Sequence, residues 1–320
     1  MKKYIGTIIT VIIVLALSAC GFIFSNYSLS QNQLETLLIL GIICGGSALY
    51  CFVVGELAHN NSQMDKLWSL LPIAYTWVIA AKSGFQIRTT LIAVLVTLWG
   101  IRLTFNFARK GAYSIKFWSG EEDYRWQVLR SSKQLSNRFA WAMFDLFFIS
   151  IYQNALVLAI CLPALVVMES TAPINGFDYA AAGLMFSALL IESIADEQQM
   201  MFHTTKRRML NEGKSLEELP HPYNRGFNTT GLWAYSRHPN YLGEQAFWLF
   251  LYLFVIGSGL ATYYVFNWSM VGPLFLVFLF LGSSSFQEGI SSKKYPEYPL
   301  YLQTVSKYIP FRKYNPDKKD

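Results

Sequence analysis

Charge is scarce in this chain: only 14% of its 320 residues are Asp, Glu, Lys or Arg, against about 25% in a soluble domain. That scarcity excludes an ordinary soluble fold and a charge-rich disordered chain. Cysteine is scarce too, with four residues at Cys20, Cys44, Cys51 and Cys161. All four lie in apolar runs and none forms a CxxC pair, so neither a disulfide framework nor a zinc or other metal site is expected. No internal repeat or low-complexity tract is found. What remains is apolar: 53% hydrophobic and 16% aromatic residues. The composition predicts an all-α, polytopic membrane helix bundle of about 7–8 spans.

Eight apolar stretches can be drawn, over 5–24, 34–55, 67–82, 89–107, 141–168, 177–197, 245–266 and 268–286. Basic residues in the connections set the orientation. With the N-terminus in the cytoplasm, every Lys and Arg except Lys82, Arg88 and Arg102 falls on the cytoplasmic side. An integral, multi-pass protein with both termini cytoplasmic is therefore expected. The net charge of +6 then belongs to loops facing anionic lipid or an anionic cytosolic ligand, not to a nucleic-acid surface. The organisation expected is an N-terminal transmembrane hairpin over 1–65 and a membrane domain over 66–320. Leu17-Ser18-Ala19-Cys20-Gly21 has the form of a lipoprotein cleavage site, and equally of the outer end of a first span.

Charged groups at membrane depth usually face a cavity or a partner. Trp99, Arg102, Asn106 and Arg109 share one helical face, as do Glu192, Asp196, Gln199, His203 and Lys206. Each stripe starts inside a span and runs out on the cytoplasmic side, which suggests a polar cavity open to the cytosol; snorkelling at span ends is the competing reading. Glu192 and Asp196, four residues apart, form a pair of carboxylates able to share a proton, or else two ionised carboxylates paired with Arg102 or Arg109 to hold spans four and six together. Phe117-Trp118-Ser119-Gly120-Glu121-Glu122-Asp123-Tyr124-Arg125-Trp126 reads as an interfacial segment with Trp anchors, or as a lid over the cavity. The densest cluster is Tyr235-Ser236-Arg237-His238-Pro239-Asn240-Tyr241-Leu242-Gly243-Glu244, at the entry to the seventh span. Helix N-terminal amides and Arg237 suit a phosphate there. Asn240 suits an amide, and Tyr235 or Tyr241 a ring.

The SRHPNYLGE stretch resembles the C-terminal signature of steroid 5-alpha-reductase-like membrane proteins, specifically the DUF1295 branch. Leu98-Trp99-Gly100-Ile101-Arg102, the loop from Gly120 to Trp126, and the tail from Lys293 through Tyr298, Tyr301 and Ile309-Pro310-Phe311 extend the resemblance. It implies a membrane reductase that binds NADPH in a cytosol-facing cavity and reduces an activated C=C in a membrane lipid or sterol-like small molecule. By position it implies Asp196, Tyr235, Arg237, His238, Asn240 and Glu244 as cofactor-binding, to which the ring of Tyr241 is added from the reading above. Trp99 and Arg102, at the positions of a carbonyl-polarising pair, and Glu192, from its pairing with Asp196, are the catalytic candidates. Glu192 stands where the steroid reductases usually have Asn, and Trp99 where they have Tyr. These departures weigh against a 3-oxo-steroid. A shorter Arg-His-Pro-x-Tyr-x-Gly core is shared with isoprenylcysteine and phospholipid methyltransferases. An S-adenosylmethionine-dependent methyltransferase is therefore the alternative, and a non-enzymatic lipid-binding protein a second.

Overall fold

The computed structural model describes residues 28–261, 265 and 267–314. The span expected at 5–24 and the Cys20 reading lie outside the described residues. Within them the fold is helical, and five helices are long and apolar enough to cross a bilayer: Gln31–Ala58, Ile87–Ala108, Arg138–Val167, Gly176–Asn211 and Trp268–Lys294. The chain is an all-α membrane helix bundle, with its described residues in two compact units.

The first unit lies within Met1–Gly183 and Leu249–Leu276. It opens with α1 (Gln31–Ala58), started by a capping box in which Ser30 and Gln33 satisfy each other's backbone N–H. Leu38, Ile42, Leu49 and Leu57 on α1 are at least 65% exposed. A helix this apolar with its large side chains outward is built for lipid rather than water. Short α2 (Gln63–Leu67) and α3 (Leu71–Lys82) follow, then α4 (Ile87–Ala108) and α5 (Tyr124–Arg130). The expected fifth span begins as α6 (Arg138–Phe144), continues as a π-helix over Asp145–Tyr152, and ends as α7 (Gln153–Val167). Phe144, Phe148 and Tyr152 stack along the π-helical stretch at 5.0 and 5.4 Å between centroids.

The second unit lies within Leu184–Trp248 and Val277–Asp320. It takes the later part of α8 (Gly176–Asn211), most of α9 (Pro239–Leu251), the later part of α11 (Val271–Lys294) and α12 (Tyr298–Thr304). Short α10 (Leu253–Gly257) belongs to the first unit. The seventh apolar stretch is thus broken after Leu251 instead of forming one helix. A hydrophobic core of Phe227, Tyr298, Tyr301, Val305 and Tyr314, aromatic but for Val305, organises the second unit. The Tyr301 hydroxyl donates to the carbonyls of Trp233 (2.5 Å) and Ser236 (3.3 Å). The tail tyrosines therefore pack behind the 233–236 backbone and fix its course.

Candidate functional site

In the second unit the motif forms around the start of α9. Pro239 opens the helix, where its missing N–H has no helical partner to lose. A short parallel bridge joins Ser236 to Ser306. Beside it, the N–H groups of Arg237 and His238 donate to the carbonyls of Ser306 (3.0 Å) and Lys307 (3.1 Å). The segment before the helix is thereby held extended.

On α8, Glu192 is fully buried and Asp196 nearly so. Asn240 donates its amide to Asp196 Oδ1 at 3.1 Å. Gly243, one turn further along α9, lies against Ala188 and Glu192. Glu244 is buried and accepts from the indole N–H of Trp248 at 3.2 Å. The structure thus brings Asp196, Glu192, Asn240 and Gly243 together along one helix–helix seam, with Glu244 the next residue along α9. Tyr241 stacks on His238 at 5.3 Å and accepts from Gln287 at 2.6 Å. Tyr235 is 42% exposed, with Lys313 Nζ 5.6 Å from its ring centroid.

Arg237 faces inward. Its Nε donates to Glu288 at 2.8 Å, and its Nη1 donates to the carbonyls of Leu302 (2.9 Å) and Val305. Burial holds the His238 imidazole below its ordinary value, against the pull of Glu288. Lys206, at the end of its stripe, donates to the Gly226 carbonyl at 2.5 Å. Gln199 and His203 bond each other at 3.0 Å. Three contributors escape the sequence reading. Gln198 accepts from the Leu232 N–H at 2.9 Å, and the Ala195 carbonyl accepts from Trp233 at 3.0 Å. Glu288 is the third. A basic pair inside an apolar context needs a counter-ion, and that was its only sequence signal.

Trp99 and Arg102 lie on α4 in the first unit. Trp99 is fully buried. Further along this stripe, Arg109 donates to the Asn106 side chain at 3.1 and 3.0 Å. The same unit holds a second polar network. Asn61 donates to Asp145 (2.8 Å), takes the Arg130 guanidinium on its oxygen (2.7 Å), and offers its backbone N–H to Glu122 (2.9 Å). Trp126 donates to Asp65 at 2.8 Å, and fully buried Lys66 donates to the carbonyls of Phe117 (2.8 Å) and Ser119 (2.7 Å). Burial lowers the Lys66 ammonium and raises the Asp65 carboxyl, the latter against Arg125. The 117–126 loop is thus tied to 61–66 by buried charge, more than an aromatic anchor requires. Lys66, read as a loop charge, is interior.

Among the described residues no cluster of three His, Cys, Asp or Glu is placed to hold a metal ion. No solved structure matches the chain. A protein of Schizosaccharomyces pombe, strain 972, described as uncharacterized protein C594.04c, is 33% identical over 298 residues, covering 90% of this chain and 82% of that protein. A family described as a protein of unknown function, DUF1295, matches residues 51–306. With the family match spanning most of its length, the chain belongs to the DUF1295 family.

Proposed function

We propose that this protein is a membrane oxidoreductase of the steroid 5-alpha-reductase-like type, using NADPH to reduce an activated C=C in a lipid or sterol-like substrate. The observation that carries the reading is the Asn240–Asp196 pair, a half-buried amide 3.1 Å from a buried carboxylate at the start of a helix. It joins the motif to the preceding helix at the two positions the resemblance assigns to cofactor contact. The donor set suits a dinucleotide. Tyr235 offers an exposed ring with a Lys313 cation over it. Asn240 and Asp196 offer amide and carboxylate partners, and Tyr241 offers a second ring. Bound NADPH supplies the hydride.

The chain's own residues bind, orient and move a proton. Glu192, buried on the seam beside Gly243, is the proposed proton source for the substrate carbon. Arg237 and His238 shape the segment, and Glu244 anchors its far end through Trp248. Trp99 and Arg102 are assigned to the substrate by the resemblance alone. Saturable NADPH binding by the purified full chain in detergent is the expected result, with no binding of S-adenosylmethionine. Saturable binding of S-adenosylmethionine without NADPH would replace this reading by the methyltransferase.

The proposal includes a cytosol-facing cavity and both termini in the cytoplasm, supported by the loop charges. Single cysteines introduced at Ser28 and Lys214 test the orientation. An impermeant thiol reagent on intact cells is expected to label Ser28→Cys and to spare Lys214→Cys. The opposite pattern would invert the topology.

A further inference from the structure

The motif's two basic residues converge on a side chain from a different helix. Glu288, near the end of α11, has a side chain only 11% exposed. Its Oε1 takes Arg237 Nε at 2.8 Å and His238 Nε2 at 3.0 Å, while Oε2 faces Lys307 Nζ at 3.8 Å. Such a carboxylate is stable in the interior because three cationic or hydrogen-bonding groups meet it. Removing it would leave Arg237 buried without a counter-charge.

The contacts radiate from this point. Through its Nη1, Arg237 satisfies the Leu302 and Val305 carbonyls at the end of α12. His238 carries the stack of Tyr241. Gln287, the neighbour of Glu288, holds the Tyr241 hydroxyl at 2.6 Å. Two adjacent residues of α11 therefore grip the 237–241 segment at two points. We infer that Glu288 is the positioning residue of this segment, fixing Arg237 and His238 and, through His238, the ring of Tyr241. The inference rests on reading the segment as the cofactor site.

The titration of His238 distinguishes positioning from mere charge. The groups facing it are Glu288, Arg237 and Lys307, with the Tyr241 and Tyr308 rings beside it. Burial is the largest influence and lowers the imidazole; Arg237 and Lys307 add to this, and Glu288 opposes it. If Glu288 supplied charge alone, its loss would move His238 further down. If it holds the segment, its loss opens His238 to water and moves the imidazole up, toward about 6.5.

The test uses the full chain in detergent with isotope-labelled histidine. Four histidines are present, and a His238→Gln spectrum identifies the signal. Glu288→Gln is expected to raise the His238 midpoint and to weaken NADPH binding by roughly tenfold or more. Glu288→Asp keeps the charge with a shorter reach and should move both in the same direction by less. A His238 midpoint that stays put or falls in both variants would overturn the inference. Should Glu288→Gln fail to fold, Glu288→Asp decides by the same criterion. Should the unaltered protein not bind NADPH, the cofactor reading falls, and the titration still judges Glu288.

Discussion

Asp178→Ala is expected to destabilise the first unit by about 3–5 kcal/mol, the cost of breaking a buried ion pair from one side. Arg88 and Asp178 meet as a two-pronged pair, Nε to Oδ1 at 2.7 Å and Nη2 to Oδ2 at 2.8 Å. The side chains are 3% and 0% exposed. The guanidinium also donates to Ser170 Oγ (2.9 Å) and to the carbonyls of Ala172 (3.2 Å) and Pro173 (3.2 Å). Asp178 in turn accepts the Asn175 N–H at 2.9 Å. The pair therefore pins the turn before α8 to the start of α4. Without Asp178 the guanidinium keeps its carbonyl partners but loses its counter-charge in a site closed to water. Replacing both partners with apolar residues, as in Arg88→Met with Asp178→Leu, should cost far less than Asp178→Ala. The exposed Lys82–Glu35 pair, 3.7 Å apart with side chains 35% and 53% exposed, is the control. Lys82→Ala should change stability by under about 1 kcal/mol. Unfolding in mixed detergent micelles measures all three variants. An Asp178→Ala protein as stable as Lys82→Ala would remove the pair from the stability of the fold.

Arg88 also shows where sequence reading stops. Loop-charge counting treated it as one of the few basic residues on the outer side. The structure makes it an interior residue whose partner is 90 positions away. Lys66 is the same case, a nominal loop cation buried under the 117–119 backbone. Composition and run length report how a segment meets lipid. They carry no information on which distant side chain closes over a charge.

The long helices were legible for that reason. The α1, α4 and α6–α7 runs are continuous and apolar, and their ends follow local signals such as the Ser30 capping box and the Asn137 cap of α6. The extension of α8 to Asn211 was visible only as a polar stripe, since its apolar run ends near 197. The break after Leu251 was not legible, because Leu251-Tyr252-Leu253 continues the apolar pattern. In the site, the spacing within Arg237–Glu244 was readable, as was the face shared by Glu192 and Asp196. Their joining through Asn240 is tertiary, and Glu288 and Gln287 enter from a helix that reads as a plain span.

The remaining result concerns Gly243, whose place in the motif has a steric cause. A Cβ there would stand 2.5 Å from Glu192 Cγ, 2.9 Å from the Ala188 carbonyl oxygen and 3.2 Å from the Glu192 backbone nitrogen. A flexible side chain could yield, but two of these atoms are backbone. Gly243 is therefore small so that α8 and α9 can approach closely, as small residues do where membrane helices touch. Ala188, Glu192 and Asp196 recur every four residues on α8, while Asn240 and Gly243 are three apart on α9, so each set shares a face. The clash at Gly243 thus acts one turn from the 3.1 Å Asn240–Asp196 bond and forces the helices apart there. Gly243→Ala is expected to cost about 1–3 kcal/mol through overpacking. Under the reductase reading it should also weaken NADPH binding by roughly tenfold or more as the amide–carboxylate pair opens. Gly282→Ala supplies the comparison, since a Cβ at this α11 position meets nothing within 4 Å. There the substitution should be neutral or slightly stabilising, because alanine is the better helix former. Thermal unfolding in detergent without cofactor reads the packing cost, and NADPH titration reads the site. A Gly243→Ala protein that melts and binds like Gly282→Ala would show that the close approach of α8 and α9 has no part in stability or binding.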